Sequence, residues 1–370
     1  GRGKTLFPES KLALYPEEEI RLPTDQQPPK GMPPVAWSAY GELRNYADAA
    51  ALNQSGAPGT VLPPDYVKEL RRAYYSAVSH TDDQVGKVMA ALKASRFAAN
   101  TVVSIWGVRR TNLLCACLLL SLRMPLRPGP WVAARGARYG LSPASGTFAR
   151  SSLTNAGGLA GEWCKHTNFE LATHAPMMIH VPGMGGGSIS LSYSEHVDLY
   201  PTLAEAAAGV IIPKCPAGEA MLSTALCTMG NSLVPILHDP KAVVAAASFS
   251  QYPRGYQRPD GVVEAEGGTD SGSPSTSQCI LTHCTMGYTM VTTLGGKEYR
   301  YTEWVDYGTK EKFTPDWGRN VGTELYDHAA DPGENVNQAG KAAYAQLQAK
   351  LSKQLQAGPL TGGGWGPWAG

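Results

Sequence analysis

The chain has 370 residues and 43% hydrophobic residues, enough for one large or two ordinary domains with a substantial core, which excludes a wholly disordered or fibrous chain. With 32 basic and 31 acidic side chains its net charge is +1, so whole-chain charge makes no case for nucleic acid or an anionic membrane. The longest apolar run, Leu113 to Leu120, is under half of the roughly 20 residues a bilayer needs, so no transmembrane segment is expected.

The first sixty residues are rich in proline (Pro23, Pro28, Pro29, Pro33, Pro34, Pro58, Pro63, Pro64) and predict an extended, surface-wrapping segment. From Asp65 to Leu92, apolar residues recur at the 3 and 4 spacing of an amphipathic helix, with Asp65 as the expected N-cap. Thr101 to Trp106 reads as a buried strand and Pro176 to Val181 as another, an order that suggests a layered α/β sheet. Between them, residues 107–161 hold seven arginines and no Lys, His, Asp or Glu, a composition foreign to both flanks.

Asp198 to Ala208 predicts a short helix closed by Gly209, and Ala246 to Tyr252 a strand. Arg254 to Thr285 is Gly/Ser/Thr-rich and reads as loop. Met286 to Thr293 and Glu298 to Val305 alternate around Gly295-Gly296 as a β-hairpin, and Gly340 to Gln356 is a final helix with Tyr344, Leu347 and Leu351 on one face. The tail GGGWGPWAG is expected to fray. Seven cysteines are too few for a disulfide scaffold, and Cys115-x-Cys117 lacks partners at zinc-ligand spacing. Asn53-Gln54-Ser55 is a glycosylation sequon. Asp82-Asp83 reads as a solvated helix face, and Asp327, Asp331 and Glu334 as capping and turn residues.

Several stretches in this order carry a resemblance: LALYPEEEI, PPVAW, YYSAVSHTDDQVGKVMAAL, TVVSIWG, GEWCKHTNFELATHAPMMIHVPG, HVDLYPTLAEAAAG, SFSQYPR, MGYTMVTT with YRYTEW, and ELYDHAADPGENVN. Over residues 8 to 107 and 161 to 340 the chain resembles the C-terminal two thirds of the sulfatase family, and within it the iduronate-2-sulfatase branch. The resemblance implies an alkaline-phosphatase-like α/β fold, incomplete here, with a small C-terminal antiparallel sheet plus helix. It implies residues 1–240 as part of the catalytic domain, interrupted at 108–160, then a subdomain over 241–358 and a disordered tail over 359–370. It also implies sulfuric ester hydrolysis on a sulfated sugar such as a glycosaminoglycan, a Ca2+ ion, a formylglycine nucleophile from C-x-P-S-R, and a secreted or lysosome-like compartment.

Residue by residue, Lys165 matches the family lysine that contacts sulfate, a compact cation with three donors. His174 matches a histidine of the nearest relatives, which implies a substrate-side place; a hydrogen-bonded structural histidine is the alternative. Cys215 and Cys227 match a disulfide pair, expected to contribute on the order of 2 to 3 kcal/mol. No C-x-P-S-R occurs in the sequence, and where the family reads K-P-H this chain has Gly3-Lys4-Thr5-Leu6-Phe7. The nucleophile and the first calcium-binding aspartates are therefore expected upstream of Gly1.

After Gly107 the family continues D-H-G, placing a calcium ligand at the strand end; here Val108 follows instead. The Ca2+ ligands are thus not expected in this chain, and catalytic competence is doubtful. The arginine block reads either as translated intron or as a basic insertion that makes the protein a non-catalytic binder of sulfated glycans. A phosphatase or phosphodiesterase of the same superfamily is a further alternative, against which GEWCKHTNFE speaks.

Overall fold

The computed structural model describes residues 8–38, 43, 46–107, 116–122, 132–133, 161–163, 166–184, 187–216, 224–254, 284–309, 312–359 and 365. The segment 8–38 makes only three 3-10 turns, at Glu9–Leu14, Glu17–Glu19 and Pro34–Ala36, as its prolines dictate. It wraps the molecule, yet it also enters the core. Val35 and Ala36 are buried against Trp304, and Lys30 pairs with Val336 through backbone hydrogen bonds to Asn335 and Asn337.

Helix α1 (Ala47–Ala51) is one short turn, and α2 (Pro64–Ala94) is the long amphipathic helix. The expected cap is corrected here. Pro63 is the N-cap and Pro64 the first helical residue, where a missing N–H costs nothing, so Asp65 sits in the first turn, facing the helix dipole. Only the first half of α2 is deeply buried (Val67, Arg71, Tyr75, Ser76, Val78), whereas Val88 is exposed. Asp83 pairs with Lys11, which keeps its carboxyl below the usual range, while burial raises that of Asp82.

Strand β1 (Thr101–Gly107) lies between β2 and β4 in a five-stranded sheet ordered β2-β1-β4-β3-β5, with β2 at Ala116–Leu122, β3 at Val132–Ala133, β4 at Met177–His180 and β5 at Ser188–Ile189. β1 runs antiparallel to both neighbours, in register Thr101↔Leu122 and Val103↔His180. Part of the arginine block, β2 and β3, therefore belongs to this sheet. Helix α3 (Glu170–Thr173) precedes β4. Helix α4 (Leu199–Ala208) ends at Gly209, whose φ of +65° is the left-handed closure that glycine permits. With α5 (Val234–His238), α4 covers one face of the sheet, packing Leu199, Ala206, Ile236 and Leu237 against Val102, Met177 and Ile179.

The second sheet has four antiparallel strands, β6 (Ala247–Arg254), β7 (Cys284–Leu294), β8 (Lys297–Thr309) and β9 (Lys312–Asp327). Gly295 and Gly296, at φ +58° and +78°, turn the β7–β8 hairpin where the sequence places it. Helix α6 (Ala345–Ala357) buries Leu351 and Leu355 on this sheet. The expectation of a frayed tail fails at Trp365. Its ring packs 4.6 Å from Tyr288 and its Nε1 donates to the Leu355 carbonyl at 2.8 Å.

Candidate functional site

The segment that carries the site follows from the end of β1. The Gly107 N–H donates to the Pro176 carbonyl at 2.9 Å, so the antiparallel register brings the start of β4, and residues 166–176 before it, to the carboxyl end of β1. Several contacts stitch this segment to the second sheet and to the turn after β9. Arg254 Nη2 donates to the His166 carbonyl (2.6 Å), and Asn168 Nδ2 to the Gly287 carbonyl (2.9 Å). The Glu170 N–H donates to Oε2 of Glu334 (2.9 Å), and the Arg300 guanidinium lies 4.7 Å over the Phe169 ring.

Arg254, which the sequence places at the start of a loop, ends β6 and is the principal anchor. It is 4% exposed, donates also to the carbonyls of Val35 and Ala36 (both 3.2 Å), and lies between the rings of Tyr252 and Trp304. Glu162, in the same wall, accepts from the Ser38 N–H (3.0 Å). Burial pushes its carboxyl up to about 8, against the pull of Arg254, Ser38 and Thr167.

The segment walls a cavity of about 310 Å3 between α3, residues 193–197 and β6. His174 lines it. Its Nδ1 meets Oε1 of Glu170 at 2.5 Å, its side chain is 10% exposed, and its Nε2 is buried without a hydrogen-bond partner. Glu195 lines the opposite side. It forms a capping box with Asp198, an E-x-x-D signature legible at Glu195 to Asp198, and its Oε1 accepts from the Phe249 N–H (2.6 Å). Burial pushes Glu195 up to about 7. Asp198 accepts from the N–H groups of Glu195 (2.7 Å) and Asn231 (2.6 Å), and burial raises its carboxyl too.

A third carboxylate, Glu298, accepts from the Tyr193 hydroxyl (3.0 Å) and lies 3.3 Å from Nδ1 of His328. Behind it, Glu334 holds both His328 Nε2 (2.9 Å) and Arg300 Nε (2.5 Å). Burial alone would raise Glu334, but Arg300 and His328 hold it below the usual carboxylate range. The sequence places Glu334 in a turn. At φ +57° it does sit in the turn, yet its side chain is the hub of this buried network. Asp327 and Asp331 bind the backbone N–H groups of Ala329, Ala330 and Val336.

Of the residues singled out in sequence, Lys165 lies outside the described residues, as does Gly3-Lys4-Thr5-Leu6-Phe7. Cys215 and Cys227 are disulfide-bonded, and Lys214 beside them donates to Asn231 Oδ1 (2.7 Å), the residue whose N–H caps Asp198. A calcium ion needs several convergent oxygens. Among the described residues no group of three or more His, Cys, Asp or Glu could hold a metal, and the nearby carboxylates are committed to histidines and backbone N–H groups. The described donors do not fit such an ion. No described helix is long and apolar enough to cross a membrane.

A family model described as Sulfatase matches residues 15–210. Iduronate 2-sulfatase of Homo sapiens is 27% identical, with 90% of this chain and 55% of that protein covered. Iduronate 2-sulfatase of Mus musculus is 28% identical, with 90% and 54% covered. The chain thus spans about half the length of the curated relatives it matches. Among solved structures, phosphonate monoester hydrolase SpPMH from Silicibacter pomeroyi superposes with a TM-score of 0.54 at 19% identity, covering 94% of this chain and 52% of that one. This likeness shows a shared alkaline-phosphatase-like fold.

Proposed function

Since the chain belongs to the sulfatase family, we propose that it serves sulfuric ester hydrolysis on a sulfated sugar, in the manner of its iduronate 2-sulfatase relatives, and that this polypeptide alone carries the substrate-holding part and not the nucleophile. The observation that carries the reading is the Gly107–Pro176 junction. It sets residues 166–170 beside the carboxyl end of β1, the strand end at which the family resemblance expects the site.

In this reading Lys165 places its ammonium on the sulfate, and His174, held by Glu170, faces the sugar. The Cys215–Cys227 disulfide supports a secreted or lysosome-like compartment.

The test is a sulfated disaccharide offered to the 370-residue chain and to its Lys165→Ala variant. The expected result is binding that the variant weakens about tenfold, with no sulfate released. Sulfate release above the variant's level would overturn the assignment of the nucleophile elsewhere. Binding indifferent to Lys165 would overturn the sulfate contact.

A further inference from the structure

A second cavity lies on the far face of the second sheet. Side chains alternate along β8, so Arg300 and Trp304 face Phe169 and Val35, whereas Tyr301, Glu303 and Val305 face α6. Leu351 and Leu355 of α6 close on this face. A second stripe of the helix, Ala345, Gln348, Ala349, Ser352 and Gln356, is small or polar and leaves a groove of about 470 Å3 over Glu303, Trp317 and Thr323. The stripe recurs at three and four residues and runs for about 16 Å of helix.

Glu303 is out of place on such a face. It is 3% exposed, sits amid Met290, Tyr301, Val305 and Leu325, and pairs with no described Lys, Arg or His. Both its partners are neutral and both line the groove: Oε1 accepts from the Tyr301 hydroxyl (2.8 Å) and Oε2 from Nε2 of Gln356 (3.2 Å). A charge taken out of water without a counter-ion is costly, and a cation in the groove would offset that cost.

The shape of the cation follows from what the carboxylate has left. Each oxygen has two lone-pair directions, so each keeps one after these bonds, which matches the two parallel N–H groups of a guanidinium. The Trp317 and Tyr301 rings on the wall suit a flat cation. The other charged residue of the wall, Lys341, is exposed and donates to Oε1 of Gln338 (2.8 Å), which is not part of the lining. We propose that this groove binds an alkylguanidinium group, paired fork to fork with Glu303 and flanked by Trp317. It lies on the opposite face of the sheet from Phe169 and the segment before β4, and is independent of the sulfate contact assigned to Lys165.

The test is calorimetric titration of the 370-residue chain at pH 7 with butylguanidine, butylamine and the uncharged butylurea. Butylguanidine should bind at one site, and the other two about tenfold more weakly or worse. N-acetylarginine amide binding tighter than butylguanidine would identify a partner protein's arginine as the source of the group, and binding weaker would identify a free guanidine. Glu303→Gln should weaken butylguanidine about tenfold and leave butylurea unchanged. Ala349→Phe fills the groove from an exposed helix position without touching Glu303, and should abolish binding with the unfolding midpoint retained. No butylguanidine binding, equal affinity for butylurea, competition by a sulfated disaccharide, or indifference to both substitutions would each overturn the proposal, whether or not Lys165 contacts sulfate.

Discussion

Oε1 of Glu334 is shared by two cationic partners, Nε2 of His328 at 2.9 Å and Nε of Arg300 at 2.5 Å. Burial works against a charged His328, but Glu298 and Glu334 together carry it up to about 10 from an ordinary 6.5. A histidine raised in the folded state stabilises fully below its unfolded value and loses that contribution as pH climbs through the folded one. Denaturant midpoints should therefore fall between pH 6.5 and 10. His328→Gln should flatten that slope and cost about 3 kcal/mol at pH 6, because a buried carboxylate loses one partner.

Glu162 works in the same direction over an overlapping window. Its carboxyl is raised from 4.5 to about 8, so keeping it ionised in the core opposes folding increasingly from pH 4.5 to 8. Glu162→Gln preserves an acceptor for the Ser38 N–H. It should leave the unfolding midpoint nearly unchanged at pH 4.5 and raise it at pH 8.5; a variant less stable at pH 8.5 would contradict the assignment.

A methyl group at Gly287 would lie 2.6 to 2.7 Å from the buried Trp304 ring. Gly287→Ala should cost about 1 to 3 kcal/mol and shift the emission of Trp304. The displaced strand would also carry away the carbonyl that Asn168 reaches, so binding at the adjoining cavity should weaken with it.

The Cys215–Cys227 disulfide joins residues 12 apart in sequence. Closing so short a loop is worth about 2 to 3 kcal/mol, so Cys215→Ala/Cys227→Ala should lower the unfolding free energy by that amount, measured by denaturant titration. Because Lys214 and Asn231 connect the bridge to Asp198, hydrogen exchange at the Glu195 and Asn231 amides should accelerate in the same variant.

Arg254→Lys keeps the charge and removes the planar fork that reaches Val35, Ala36 and His166. An expected loss of about 2 to 4 kcal/mol follows from carbonyls left without donors in the interior. A loss below about 0.5 kcal/mol, measured by urea unfolding, would show that the fork is dispensable.

What could be read in the sequence was local. The Gly295-Gly296 hairpin, the Gly209 closure of α4 and the apolar stripe of α6 are each fixed by a few neighbouring residues, and the structure has them in place. Strand β9 was not legible. Pro315, Gly318 and Gly322 interrupt it, register shifts break its pairing with β8, and much of its length before Glu324 is exposed, so no clean alternation marks it. The Arg300–Glu334–His328 network was hidden for another reason, because register between strands and the turn after β9 creates it. The cavity acids Glu195 and Glu298 belong to different sheets' surroundings, and only the folded chain brings them to one wall. The family segments drew attention to His174 and its neighbours without indicating what the walls around them would be made of.

Arg254 imposes an order in time as well as in space. Its guanidinium joins Ala36, 218 positions earlier, and His166, 88 positions earlier, so it can close its contacts only after three remote stretches have met. Loop-closure entropy must be overcome before such contacts give anything back, which makes them late events on a folding pathway. The wall that holds His174 is accordingly among the last parts of this chain to set. A polypeptide emerging from the ribosome would carry its α2 helix and β1 strand before the cavity between α3, residues 193–197 and β6 could exist.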